Sequence, residues 1–338
     1  MFHYTQNFSL KNYNTFGISA LAKHFLTVYS GEDLLIFFEE YGHLKNEKRL
    51  FLGTGSNLLF INDFDGLVIH PVNQAIRLIC DKNGIFEVEV DAGVKWDHFV
   101  NYCVDKGWCG VENLSLIPGN MGAAPVQNIG AYGIEVESVI TKVKGFDINL
   151  LEKRSFSYEE CKFSYRTSVF KEQLKDQFLI TSVVFQLSKK PKFHIEYGLL
   201  ETEVNKYGET NLQNIRKAVI AIRESKLPDP LKVGNAGSFF KNPVVSEGTA
   251  EKLKNSFPDI PQYRALEGKA KLSAGWLIEK AGWKGRSIGN VAVHEKQALV
   301  IINLGQASGQ EIFDFSELVA KDVLQKFGIK LEREVQLI

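Results

Sequence analysis

The sequence predicts an α+β fold of more than one domain, on three observations. Strand-like alternation, as in Phe86-Glu87-Val88-Glu89-Val90, mixes with amphipathic helical spacing, as over 96–106. A stretch at 117–133, IPGNMGAAPVQNIGAYG, suits neither element, because inside a helix Gly costs roughly 1 kcal/mol and Pro about 3 kcal/mol relative to Ala, and both are depleted in strands. Finally, Leu227-Pro228-Asp229-Pro230 breaks a helical pattern and makes a natural linker. A length of 338 residues allows two to three domains, each with its own core.

Three units follow in order: 1–72, 73–227 and 228–327, with 328–338 returning as a terminal strand. In the first, Asn14-Thr15-Phe16-Gly17-Ile18 reads as a turn and 25–28 as a strand. A helix over 32–41 carries Leu34, Leu35, Phe37 and Phe38 on its apolar side, and 66–69 reads as a further strand. In the second, Asp91-Ala92-Gly93 turns into a helix over 96–106, with Phe99, Val100, Cys103 and Val104 inward. Strands are expected at 139–146, 155–158 and 178–187, and a helix at 211–223 with Leu212, Ile215, Val219 and Ile222 on one face. The third unit holds a helix at 274–281, a strand at 298–303 and a helix at 309–327. The tail LEREVQLI alternates like a strand and is expected to rejoin a body formed earlier.

Composition narrows the function classes. Lys+Arg and Asp+Glu both number 40, so no global charge attracts nucleic acid or anionic membrane, and an anionic substrate needs local cations. The first residues lack a basic flank before an apolar core, so no secretory signal is expected. No apolar run approaches the roughly 18–20 residues of a membrane span. Cys80, Cys103, Cys109 and Cys161 form no CxxC pair, and the seven histidines have no ligand spacing. Reduced thiols in a cytoplasmic protein, and no metal, are expected.

The glycine-rich stretches point to a ligand. Leu52-Gly53-Thr54-Gly55-Ser56-Asn57 sits between apolar runs, and 117–133 carries no charge. Bare backbone of this kind approaches a flat or phosphorylated ligand closely, with amides presented to the phosphates. Gly53, Thr54, Gly55, Ser56 and Asn57 suit the phosphates. Pro118, Gly119, Gly122, Gln127, Asn128, Gly130 and Ala131 suit a cradle along a flat ring.

GTGSNLL, IPGNMGAAPVQNIGAYG, SYRTSVFK, RESKLPDP, GNAGSFFKNP, AGWLIEKAGWKG and LEREVQLI occur in this order. Together these blocks resemble the UDP-N-acetylenolpyruvoylglucosamine reductase family, type I branch. The resemblance implies a vanillyl-alcohol-oxidase/PCMH-like FAD-binding module of two subdomains, 1–72 and 73–227, joined by strand 328–338. It adds a smaller α+β substrate-binding domain at 228–327. It implies FAD with NADPH as reductant; no residue offers an obvious covalent attachment point, so dissociable FAD is expected, as is a monomer. The substrate would be UDP-N-acetylglucosamine enolpyruvate, reduced to UDP-N-acetylmuramate for peptidoglycan.

The resemblance also assigns roles. By itself Arg166 reads as a turn residue; the resemblance makes it catalytic, a planar fork on the enolpyruvyl carboxylate. Ser238, otherwise a turn serine, becomes the general acid. Glu332 and Glu334 share one face of an alternating strand, and the family motif selects Glu334 as catalytic. Lys226 resembles a diphosphate ligand, and Tyr165, Asn242 and Gln297 resemble substrate contacts. Tyr197 resembles the tyrosine of a loop that closes over substrate in type I.

Overall fold

The structure, a computed structural model, describes residues 1–264 and 268–338. The chain divides into two compact units, and it passes between them repeatedly. The first comprises 1–8, 22–54 and 65–225; the second comprises 9–21, 55–64 and 226–338. The Gly-Thr-Gly turn thus straddles a passage, with Gly53 and Thr54 in the first unit and Gly55, Ser56 and Asn57 in the second.

Two sheets build the first unit. One has four strands in the order Phe2–Ser9, Leu21–Val28, Phe64–Pro71 and Arg49–Phe51, the last two parallel, with Leu50 opposite Val68. Helix Glu32–Glu40 buries Leu34, Phe37 and Phe38 against Leu26, Val28, Leu67 and Ile69. The other sheet is antiparallel throughout, in the order Glu152–Ser157, Ile140–Asp147, Phe178–Ser188, Ile85–Asp91 and Ile76–Lys82. Its apolar face is covered by helix Trp96–Lys106, whose Trp96, Phe99, Val100 and Cys103 share a core with Val88, Val90, Val183 and Phe185. Phe146 and Leu179 reach from this sheet into the core of the first. Helices Leu200–Asn205 and Leu212–Lys226 pack together through Leu200, Val204, Ile215 and Val219.

The second unit centres on a sheet ordered Gly234–Ser238, Val300–Asn303, Val291–Val293 and Ser287–Ile288. A smaller sheet sets Lys269–Leu272 between Val244–Ser246 and Gln262–Arg264. Helix Gly309–Phe327 starts in a reciprocal Ser308–Glu311 capping box and stops at Gly328, φ +68°. The early segments are bound into this unit. The Asn235 N–H donates to the Thr15 carbonyl (3.0 Å), and Asn303 Nδ2 donates to that of Phe16 (3.0 Å).

Of five expected helices, those at 32–41, 96–106, 274–281 and 309–327 lie within one residue of their predicted ends, while that at 211–223 runs three residues further, as Leu212–Lys226. The tail differs. Only Gln336–Leu337 is strand, paired in parallel with Leu58–Leu59. Glu332 is exposed while Glu334 is half-buried, so an uninterrupted strand with both on one face is not what forms.

Two glycines provide a paired stability test. A Cβ on Gly309 would sit 1.7 Å from the Phe60 carbonyl oxygen, whereas one on Gly248, inside helix Glu247–Ser256, meets nothing within 4 Å. Gly309→Ala should therefore cost about 3 kcal/mol, the upper end of overpacking penalties. Gly248→Ala should gain roughly 0.5–1 kcal/mol from helix propensity. Denaturant titration of both variants checks the opposite signs.

Candidate active site

In the first unit, the 117–133 stretch is pinned by its own backbone. The Met121 and Gly122 N–H groups donate to Val94 and Ala92, and the Gly119 carbonyl accepts from Trp96. Asn120 Nδ2 donates to the Gly93 carbonyl at 2.8 Å. Its Oδ1 is buried with no hydrogen-bond partner among the described residues, as is Thr54 Oγ1. A Cβ on Gly53 would lie 2.7 Å from that same Asn120 Oδ1. The structure thus brings Gly53 of one glycine turn against Asn120 of the other. Pro118 is exposed and Gln127 half-buried on the same stretch.

The end of the stretch is a hairpin in which Gly130 faces Glu135 and Ala131 faces Ile134. Its two loop residues, Tyr132 and Gly133, have φ of +48° and +82°, as a tight primed turn requires. Arg166, itself at φ +57°, stands in a turn closed by reciprocal Ser164 and Thr167 backbone bonds of 3.1 and 3.0 Å. Its guanidinium donates from NH2 to the Gly130 carbonyl (2.8 Å) and from NH1 to the Asn128 carbonyl (3.3 Å). NH1 also meets Glu135 Oε1 at 3.3 Å. The Tyr165 ring lies 5.2 Å from the guanidinium carbon.

Tyr197 is exposed and packs edge-on to Tyr132, with ring centroids 6.3 Å apart. Asn113 Nδ2 ties the two segments by donating to both the Tyr132 and His194 carbonyls. Arg223 has a buried Nε with no partner among the described residues. Burial pushes its pKa down, opposed by the nearby Tyr132 and Asp97. Burial also raises the Tyr132 phenol, with Arg223 acting the other way.

In the second unit, Ser238 ends strand Gly234–Ser238 opposite Val300, after a register shift that begins at Asn235. Buried Asn235 shapes the approach, its Oδ1 accepting from the Gly237 N–H (3.0 Å) and its Nδ2 donating to Val233 (2.9 Å). The Glu334 N–H donates to the Phe239 carbonyl (2.9 Å), placing its backbone beside the residue after Ser238. Asn57 Nδ2 donates to the Glu334 carbonyl (3.1 Å), and the Asn57 carbonyl accepts from Gln336 (3.0 Å). Ser238, Glu334 and Asn57 are therefore linked through backbone. Gly55 belongs here because a Cβ would sit 2.1 Å from the Tyr13 carbonyl oxygen. Asn242 and Gln297 each lie near the start of helix Ala274–Lys280. Asn242 Oδ1 accepts the Ala274 N–H (2.9 Å), and Gln297 Oε1 is 3.4 Å from the Cβ position of Gly275. Lys226 is exposed at the end of its helix.

Sequence reasoning singled out neither Glu135, Tyr132 nor Arg223. Tyr132 and Arg223 stand inside quoted motifs and Glu135 two residues beyond one, and none carries a local sign of its partner.

Comparison with known proteins gives the same picture along the whole chain. Residues 229–338 match the model described as UDP-N-acetylenolpyruvoylglucosamine reductase, C-terminal domain, and 40–148 match an FAD binding domain. A UDP-N-acetylenolpyruvoylglucosamine reductase of Flavobacterium johnsoniae is 47% identical, over 98% of both chains. One from Bacteroides fragilis is 43% identical, over 98% of this chain and 99% of its own. The crystal structure of UDP-N-acetylenolpyruvylglucosamine reductase from Thermus caldophilus superimposes with a TM-score of 0.68, at 23% identity, covering 100% of this chain and 98% of that one. The residues present fit FAD: buried Thr54 Oγ1 and Asn120 Oδ1 lack protein partners among the described residues, as polar atoms turned toward a ligand with hydroxyls and phosphates would.

The turn into Gly53 carries a titratable residue. His70 Nδ1 donates to the Leu52 carbonyl at 2.6 Å. Burial holds its pKa below the ordinary 6.5, against a smaller upward pull from that carbonyl. The folded chain takes up this proton at lower pH than the unfolded chain does. Its contribution is thus present above 6.5 and lost as pH falls below it. Thermal melts at a series of pH values should show Tm declining below that point, and His70→Gln should flatten part of the slope.

Proposed function

Because the chain belongs to the UDP-N-acetylenolpyruvoylglucosamine reductase family, we propose that Arg166, Ser238 and Glu334 carry out its reduction of UDP-N-acetylglucosamine enolpyruvate. The protein is an FAD-dependent oxidoreductase of peptidoglycan precursor synthesis. The product is UDP-N-acetylmuramate. When bound, FAD would supply the hydride chemistry that couples NADPH to the methylene carbon of the enolpyruvyl group.

The observation that carries these roles is the Arg166 guanidinium, half-buried against the carbonyls of a charge-free glycine stretch. Hydride at the methylene carbon leaves carbanion character on the neighbouring carbon and its carboxylate. A fixed cation stabilises that charge as it develops. Arg166 holds the carboxylate, and Ser238 gives its hydroxyl proton to the carbanionic carbon. An ionised Glu334 would repel the developing charge, so Glu334 acts protonated or by ordering Arg166 and the substrate.

Gly53, Thr54, Gly55, Ser56 and Asn57 would hold the FAD pyrophosphate, and the 117–133 stretch, with Pro118, Gly119, Gly122, Gln127, Asn128, Gly130 and Ala131, would cradle the flavin. The two sheets of the first unit are read as two FAD-binding subdomains, 1–72 and 73–227, with 228–327 binding substrate. Lys226 takes the substrate diphosphate, Tyr165, Asn242 and Gln297 make polar contacts, and Tyr197 closes over it. Balanced charge, 40 against 40, offers no global attraction to nucleic acid or membrane, and the protein is read as a cytoplasmic monomer.

The test separates two half-reactions. Under anaerobic conditions NADPH should bleach the flavin, and the enolpyruvyl sugar nucleotide should restore its colour in stoichiometric amount. Arg166→Lys should slow the second step by about 10²–10³-fold, and Ser238→Ala by about 10²–10⁴-fold, with bleaching retained. Glu334→Gln should keep clearly more of the second step than Glu334→Ala. A reduced protein that only oxygen reoxidises would rule out the assignment.

A further inference from the structure

A carboxylate outside the catalytic set touches the Arg166 guanidinium. Glu135 stands opposite Gly130 in the hairpin, and only glycine fits there. A Cβ on residue 130 would lie 2.9 Å from both Arg166 NH1 and Glu135 Cγ. One Glu135 oxygen meets Arg166 NH1 at 3.3 Å and the other accepts from Asn128 Nδ2 at 3.1 Å. Asn128 cannot turn away. It is fully buried, its Oδ1 accepts from the Glu137 N–H (3.1 Å), and its Nδ2 also donates to the Ser164 carbonyl (3.2 Å). Because Ser164 begins the Arg166 turn, the carboxylate, the amide and the guanidinium form one closed frame.

We propose that Glu135 is a positioning residue for the reduction, setting the plane and reach of the Arg166 fork through this frame. The 3.3 Å contact, with the carbonyl bonds on NH1 and NH2, fixes the orientation in which the guanidinium would meet the enolpyruvyl carboxylate. Glu135 also offsets the Arg166 charge before substrate arrives, which lowers the cost of keeping that cation half-buried. The inference rests on the reading of Arg166 as the ligand of the substrate carboxylate.

The two half-reactions again provide the measurement, with the complete FAD-loaded enzyme. Misplacing a reacting group by an ångström costs about 10²-fold, so Glu135→Ala should slow reoxidation by the enolpyruvyl sugar nucleotide by about that factor. Reduction by NADPH should stay within about twofold of the parent enzyme, since the frame does not serve that step. Glu135→Asp, which keeps the carboxylate, should recover part of the loss. Glu135→Gln, whose single carbonyl can serve Arg166 or Asn128 but not both, should fall between. Calorimetry on the oxidised enzyme should find UDP-N-acetylglucosamine, which lacks the enolpyruvyl carboxylate, bound equally by parent and Glu135→Ala. Unchanged reoxidation in Glu135→Ala overturns the proposal, as does equal slowing of both half-reactions with a lowered Tm. If Arg166→Lys leaves reoxidation intact, the reading of Arg166 fails instead, and the role of Glu135 falls with it.

Discussion

A guanidinium seated on main-chain carbonyls is the contact on which the first unit's site depends. Arg166 reaches the Gly130 and Asn128 carbonyls only because residue 130 has no side chain. The hairpin that presents those carbonyls folds back through a two-residue loop with both φ values positive. Glycine is therefore needed here for approach, and elsewhere in the same stretch for closeness to neighbouring backbone. Gly122, for example, fits against Ala92 where a Cβ would come within 2.9 Å of its methyl.

The second unit uses backbone in another way. Segments 9–21 and 55–64, drawn from early in the chain, are bound to strands made hundreds of residues later. Asn303 and Asn235 reach the 15–16 carbonyls, and Asn57 reaches Glu334. These amide contacts satisfy buried polar groups that an irregular segment would otherwise leave open. The short parallel pair at Gln336–Leu337 closes the tail in the same manner. Ser238 and Glu334 thus inherit their proximity from hydrogen bonds of neighbouring main chain.

Five of the seven described α-helices were legible because their signals are local. Helix Glu32–Glu40 follows from its apolar face, and Gly309–Phe327 from the Ser308–Glu311 cap and the closing glycine. Strand Phe2–Ser9 was not legible: its exposure is irregular and lacks the alternation of a half-buried strand. Neither were the short strands between 234 and 293, where two to five residues carry too little pattern to read. The Pro-containing stretch at 227–230 is plain in the sequence and lies next to the passage at 225–226, but the passages at 8–9, 21–22, 54–55 and 64–65 leave no compositional mark.

By itself the sequence determined the chemical inventory: glycine-rich turns, one arginine in Ser-Tyr-Arg-Thr, a serine after small residues, and an acid near the end. It also determined most helices, because their caps and periodicity lie within a few residues. Tertiary structure alone decided that Glu135 faces Arg166 across 31 positions of chain. It alone placed Tyr132 against Tyr197, and Glu334 rather than exposed Glu332 beside Asn57 and Phe239. Those choices depend on which distant backbones pack closely enough to exclude a Cβ, and nothing in the immediate neighbours of any of these residues encodes it.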